Sequence, residues 1–234
     1  MIAYKLMMSK KKNKTRLHVA IDGTVASGKG TVAKMLANRL GIICLGTGAL
    51  YRGITIHFMN KKIDLSCEAQ IEFALKSLDL RVCHEQGSTL IILDGKDITQ
   101  WLEETEVSNL VYKIAAIPCV RAKVRAIQND IAEKNDLVCE GRDITSVVLP
   151  NAQFKFYLTA SLEVRAERRF LQERINNMDI TVEDVMMAIH ERDVADMARS
   201  ISPLIHVYDA VLIDATNVTA AEVVDKMMEI IKEK

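Results

Sequence analysis

DGTVASGKGT, residues Asp22 to Thr31, holds three of the ten glycines in the chain. The apolar run LHVAI (17–21) ahead of it suits a buried strand. Behind it Val32, Met35, Leu36 and Leu40 fall on one helical face, and Gly41 is placed to cap that helix. IICL (42–45) then reads as a second buried strand. The result is a βαβ unit with a glycine-rich first turn. Gly23, four intervening residues, Gly28 and Lys29 match the phosphate-binding loop G-x-x-x-x-G-K. Glycines let successive backbone N–H groups turn inward with no Cβ in the way. Those groups and the N-terminus of the following helix make a nest for phosphate oxygens, and Lys29 reaches the β- and γ-phosphates. The stretch therefore points to a nucleoside triphosphate, held by Gly23, Thr24, Val25, Ala26, Ser27, Gly28, Lys29, Gly30 and Thr31.

Outward from this unit the pattern continues. LVC (137–139), FKFYL (154–158) and AVLI (210–213) read as further parallel strands, alternating with helical segments. Thr181 with Asp184, and Thr219 with Glu222, have the spacing of capping boxes. Strands alternating with helices predict an α/β fold, a parallel sheet covered on both faces. Residues 78–99 break the rhythm, with short alternating runs joined by EQGS and DGK. They predict a small antiparallel insertion. Pro118 is placed to start a helix after Ile117.

Composition narrows the function classes. With 31 basic and 31 acidic residues the formal charge is zero, and aromatics are only 5%. Both count against a nucleic-acid partner. No apolar run approaches the ~18 residues of a membrane span. The five cysteines lack metal-ligand spacing and their number is odd, which suits a reducing, cytoplasmic compartment. Residues 1–16 read as a solvated basic arm without secretory features.

Four further stretches carry arginine next to apolar strands or on helices: GTGALYRG (46–53), IPCVR (117–121), CEGRDITSVVLP (139–150) and ERDVADMAR (191–199). Arginine forks bind phosphate through two parallel hydrogen bonds and stay charged, so they suit a second, anionic substrate. The segment GRD directly after a buried strand lies at the carboxyl edge of the sheet, where α/β folds bind ligands. Arg192, Asp196 and Arg199, spaced i, i+4 and i+7, share one helical face; on spacing alone that is more often a solvated ion-pair stripe.

These four stretches, in this order after a Lys-Gly-Thr loop, resemble the bacterial cytidylate kinases, a branch of the nucleoside monophosphate kinases. The resemblance runs from Leu17 to the C-terminus. It implies transfer of a phosphoryl group from ATP to CMP or dCMP, with Mg²⁺, in a cytoplasmic monomer. It also implies a three-layer P-loop kinase fold, with a five-stranded parallel sheet, over 17–234. An acceptor-binding region would span 47–116 and a short helical lid 160–178. The resemblance makes Lys29, Arg142 and Arg192 catalytic. Thr47, Tyr51, Arg52, Tyr112, Arg121, Arg142, Asp143, Arg192, Asp196 and Arg199 would hold the acceptor. Arg165, Arg168 and Arg169 would close on ATP, and Glu140 would orient the water shell of a metal held otherwise by phosphates.

The chain departs from the family pattern at Gly46 (usually acidic), Tyr112 (a small hydroxyl residue), Thr145 (glycine) and Thr24 (proline). Two other readings therefore stand beside CMP kinase. One is a related small kinase for UMP or a non-nucleotide acceptor; the other is a nucleotide-binding module without catalysis.

Overall fold

The computed structural model describes residues 16–85, 88–174 and 179–233. Most of the expected arm (1–15), the centre of the EQGS turn (86–87) and residues 175–178 of the expected lid lie outside the described residues. In chain order, β1 (His18–Gly23) leads through the glycine-rich loop into α1 (Lys29–Leu40), and β2 (Ile43–Gly46) leads into α2 (Thr47–Asn60). After α3 (Glu68–Lys76) come three short strands, β3 (Leu80–Glu85), β4 (Ser88–Leu93) and β5 (Lys96–Asp97). α4 (Thr105–Ile114) and α5 (Pro118–Lys134) bring the chain to β6 (Leu137–Gly141). β7 (Phe154–Thr159), α6 (Leu162–Glu173), α7 (Val182–Met197), β8 (Val211–Asp214) and α8 (Ala220–Lys232) follow.

Five strands pair in parallel, as expected, and their order is β2-β6-β1-β7-β8. The continuous apolar runs of β1, β6 and β7 follow from burial on both faces. Along β1, Ala20 faces the core under α2 and α5, while Val19 and Ile21 face the core under α1 and α8. Leu137 and Cys139 on β6 likewise oppose Val138. Alternate side chains thus feed two separate cores, so no position on these strands can be polar without a partner. β1 pairs with β6 on one side and β7 on the other, aligning Asp22 with Gly141 and Gly23 with Leu158. The crevice at the carboxyl end of β1 is the topological switch point of the sheet.

Local signals hold as read. Gly41 ends α1 in the left-handed region at φ 67°, and Pro118 opens α5. Both capping boxes form, Thr181 with Asp184 and Thr219 with Glu222. β3, β4 and β5 make the antiparallel insertion, turning at Asp94 and Gly95. Thr89 on β4 donates its hydroxyl to the Cys44 carbonyl at 2.8 Å, tying the insertion to the free edge of β2. One expectation fails: α7 ends at Met197, so Arg199 does not share its helical face with Arg192 and Asp196. The chain turns instead, with Ser202 at φ 54° ahead of Pro203, and Leu204 donates its N–H back to the Asp196 carbonyl.

Candidate active site

The loop between β1 and α1 is shaped by close approach. Gly23 has φ 152°, and a Cβ there would stand 1.9 Å from the Leu158 carbonyl oxygen, so only glycine fits. Ala26 to Thr31 line a cavity of about 740 Å³ that also touches Arg168, Arg169 and the start of α8. Lys29 is 5% exposed, and its Nζ donates to the Thr24 carbonyl at 2.6 Å and to Ser27 Oγ at 3.4 Å. Burial first, and the Arg142 charge second, lower its pKa to about 7, against the pull of Glu140, Asp22 and Asp196.

That shift gives a signed expectation. Triphosphate oxygens would supply a counter-charge beside Lys29, so their binding is expected to return it to its charged form. Calorimetry of ATP binding at pH 8, in two buffers of different ionisation enthalpy, should show uptake of about one proton. Affinity should weaken as pH rises above 7; zero uptake would refute a buried, neutral Lys29 in the free protein.

Asp22, the last side chain before Gly23, is fully buried. It accepts N–H bonds from Ile144 (2.9 Å) and Thr145 (2.7 Å), and the Thr145 hydroxyl bond at 2.6 Å. Burial pushes its pKa up, while the three bonds oppose that push. Asp22 thereby pins the single π-helical turn Ile144–Val148, and with it the GRD segment, to the strand that carries the phosphate loop. Thr145, where the family pattern has glycine, supplies two of the three bonds, and the hydroxyl bond is one that a glycine could not make.

A second cavity of about 150 Å³ opens beside the first. All ten residues named above for the acceptor side line it. β2 and α2 bring Thr47, Tyr51 and Arg52; α4 brings Tyr112, which is 52% exposed; α5 brings Arg121. Arg121 is buried, donates to Asp143 Oδ2 at 2.5 Å and to the Ala115 carbonyl at 3.0 Å, and lies over the Tyr51 ring. Its Nε has no hydrogen-bond partner among the described residues. A buried unpaired guanidinium donor is costly unless a ligand oxygen meets it. Asp196, 2% exposed, holds Arg142 Nε at 2.8 Å and also accepts from Arg199 Nη2. Its carboxylate has further lone pairs for a ligand hydroxyl. Arg52 donates to the Leu102 carbonyl (2.7 Å) and Ser108 Oγ (2.8 Å). Arg192 lies among like charges, and desolvation first and Arg142 second hold its pKa at about 10.

Glu140 and Arg142 line both cavities, so the two sites meet at the end of β6. Glu140 Oε1 lies 3.2 Å from where a Cβ on Gly46 would stand. The missing side chain at Gly46 thus leaves room for this carboxylate.

The three arginines expected to close on ATP divide. Arg168 and Arg169 border the first cavity; Arg168 donates to the Ala215 carbonyl at 2.8 Å, and Arg169 pairs with Glu173 at 2.5 Å. Arg165 does not border it, contrary to the expectation that it closes on ATP. Its guanidinium is buried against the Ala160 and Val25 carbonyls and Asp193 Oδ2. Asp22 and Asp193 were not singled out from the sequence. The one available signal was that each carboxylate sits beside a singled-out residue, Gly23 and Arg192.

Comparison with known proteins agrees with this geometry. The family model described as cytidylate kinase matches residues 19–233. A cytidylate kinase of Caldicellulosiruptor saccharolyticus is 37% identical, covering 92% of this chain and 95% of that one. A cytidylate kinase of Carboxydothermus hydrogenoformans is 38% identical, covering 93% and 98%. A crystal structure of an uncharacterized protein from Eubacterium ventriosum shares the fold, with a TM-score of 0.55 at 12% identity over 94% of this chain and 100% of that one. A phosphate loop, an arginine-lined second cavity and sequence identity along nearly the whole chain converge: the chain belongs to the cytidylate kinase family.

Proposed function

We propose that this protein transfers the γ-phosphoryl group of ATP to CMP or dCMP, giving ADP and CDP or dCDP. The observation that carries the reading is the junction at the end of β6, where Arg142 borders both cavities and faces Lys29 across the donor loop. Two anions must approach each other there, and the chain supplies the cations between them. Such transfer needs positioning and charge stabilisation rather than a nucleophilic side chain. It therefore proceeds in one step, with no phosphorylated residue. Lys29 and the loop N–H groups hold the donor phosphates, with Arg168 and Arg169 closing over them. Arg52, Arg121 and Arg142 hold the acceptor phosphate, and Asp143, Asp196 and Arg199 frame its ribose and base. In this reading residues 47–116 form the acceptor-binding region and 160–178 the lid of a domain spanning 17–234.

Mg²⁺ fits the residues present. Among the described residues there is no cluster of three or more His, Cys, Asp or Glu side chains that would hold an ion alone. Glu140 and Thr31 line the donor cavity, and their carboxylate and hydroxyl suit a hard cation that keeps its waters and phosphate ligands. Bound with ATP, the ion would neutralise charge on the phosphate oxygens, and Glu140 would orient its water shell.

One chain supplies both cavities, which suits a monomer, and its cysteines are all free, which suits the cytoplasm. Among the described residues no helix is long and apolar enough to cross a membrane.

Acceptor choice gives the test. Cytosine presents an amino donor and a ring acceptor where uracil presents a carbonyl and an N–H. A pocket framed by a carboxylate and an arginine leaves buried groups unpaired with the wrong base. In an assay of ADP release over a panel of monophosphates, kcat/KM for CMP and dCMP should exceed that for UMP by at least ~10-fold, about 1.4 kcal/mol. Equal rates would show that the Tyr112 side of the cavity accepts another base. Absence of ADP release with every acceptor would reduce the protein to a binding module.

A further inference from the structure

α7 touches both halves of the site through adjacent residues. Arg192 and Asp196 line the acceptor cavity. Asp193, between them and buried, turns the other way and reaches the donor loop. Its Oδ1 accepts the Val25 N–H at 2.9 Å, and its Oδ2 accepts from Arg165 Nη1 at 2.5 Å. Arg165 Nη1 also donates to the Val25 carbonyl at 3.0 Å. Both sides of one residue in the phosphate loop are thus gripped by a single ion pair drawn from α6 and α7. The apolar contacts agree: Ala166, Val185 and Ile189 form a small core with Val25 and Ala26 packed on it. Ala26 itself holds φ 57°, a left-handed conformation that a residue with a Cβ keeps only where its surroundings over-determine it.

We propose that the Asp193–Arg165 pair is a strut that couples occupancy of the acceptor cavity to the geometry of the donor phosphate loop. An anion drawn to Arg192 and to the arginines held by Asp196 shifts the balance of positions open to α7. Asp193 moves with its helix and sets the Val25 peptide, which fixes the loop N–H groups that follow. Acceptor and donor then bind with mutual reinforcement, equal in both directions by linkage. Neither side chain needs to meet a substrate; both are positioning residues. The inference rests on the reading of the second cavity as an acceptor site.

The test is calorimetric, with CMP and a non-hydrolysable ATP analogue titrated alone and together. In the wild type each ligand should tighten the other by about fivefold or more, at the lower end of common coupling factors. Asp193→Asn should bring the factor to within about twofold of unity, with CMP affinity in the absence of the analogue changed by less than about twofold. A merely structural role would weaken both ligands without changing their ratio. Removing one member of a buried pair strands the other charge, so folding needs a control. The double replacement Arg165→Met with Asp193→Leu keeps the site buried without an orphan charge, and should lose the coupling to the same degree. Wild-type coupling retained in either variant overturns the strut, as does its absence from the wild type. If CMP does not bind the wild type, the acceptor reading falls. Inorganic phosphate, taken by the same arginines, then replaces CMP, and the same loss in the same variants decides the strut.

Discussion

Lys29→Ala is expected to lower kcat by roughly 10²–10³, the usual loss when one preorganised donor to developing charge is removed. ATP affinity should fall less. Loop N–H groups hold the ground-state phosphates, whereas the ammonium follows the transferring group. The free protein should meanwhile be no less stable. Lys29 is buried with a pKa lowered to about 7, so below that pH the fold carries an ammonium that water would solvate better. The sign is that of a cation depressed on folding: the penalty is full below pH 7 and disappears as pH approaches the unfolded value of 10.5. The alanine variant should gain most in melting temperature at acidic pH. Near-native kcat would remove Lys29 from the reaction, and a fall in melting temperature at pH 6 would contradict the uncompensated charge. Steady-state kinetics and thermal melts at two pH values check both.

The phosphate loop was legible because its constraint is local. Gly23, Gly28 and Lys29 spell the phosphate nest within seven residues of chain, whereas the Leu158 carbonyl that only a glycine at 23 tolerates lies on the distant strand β7. The sheet was legible for a similar reason, since strands buried on both faces must be apolar throughout. What failed depends on distance along the chain. Asp22 and its Thr145 partner are 123 residues apart, and Asp193 and Val25 are 168 apart. Each carboxylate looks ordinary until the fold supplies its donors. The resemblance grouped Arg165 with Arg168 and Arg169, and their spacing on one short helix does not tell them apart. The three part company only when α7 sets a buried Asp193 opposite the first of them. Arg199 shows the reverse case. It was placed on one helical face with Asp196, and it does pair with that carboxylate, but a turn past the end of α7 delivers it rather than helical periodicity.

Arg142→Ala is expected to have the larger effect. A guanidinium that stabilises a phosphoryl group in transfer contributes about 10³–10⁵ in rate, and the position of Arg142 gives it two roles. It stands at the junction of the donor and acceptor cavities. It is also held in place: Asp196 accepts its Nε at 2.8 Å, and its own segment is pinned to β1 by Asp22 through Ile144 and Thr145. Preorganisation of this kind means the charge is aimed before the substrates arrive, so no reorganisation opposes its use in the transition state. kcat should therefore collapse, and KM for CMP should rise while KM for ATP changes little, because the loop N–H groups and Lys29 still hold the donor. Arg142→Lys separates charge from shape. An ammonium restores the field but not the fork that spans Asp196 and a phosphate oxygen together. It should recover part of kcat and little of the CMP affinity. A variant in which only ATP binding suffers would place Arg142 on the donor, and would leave Arg52 and Arg121 as the acceptor's phosphate anchors.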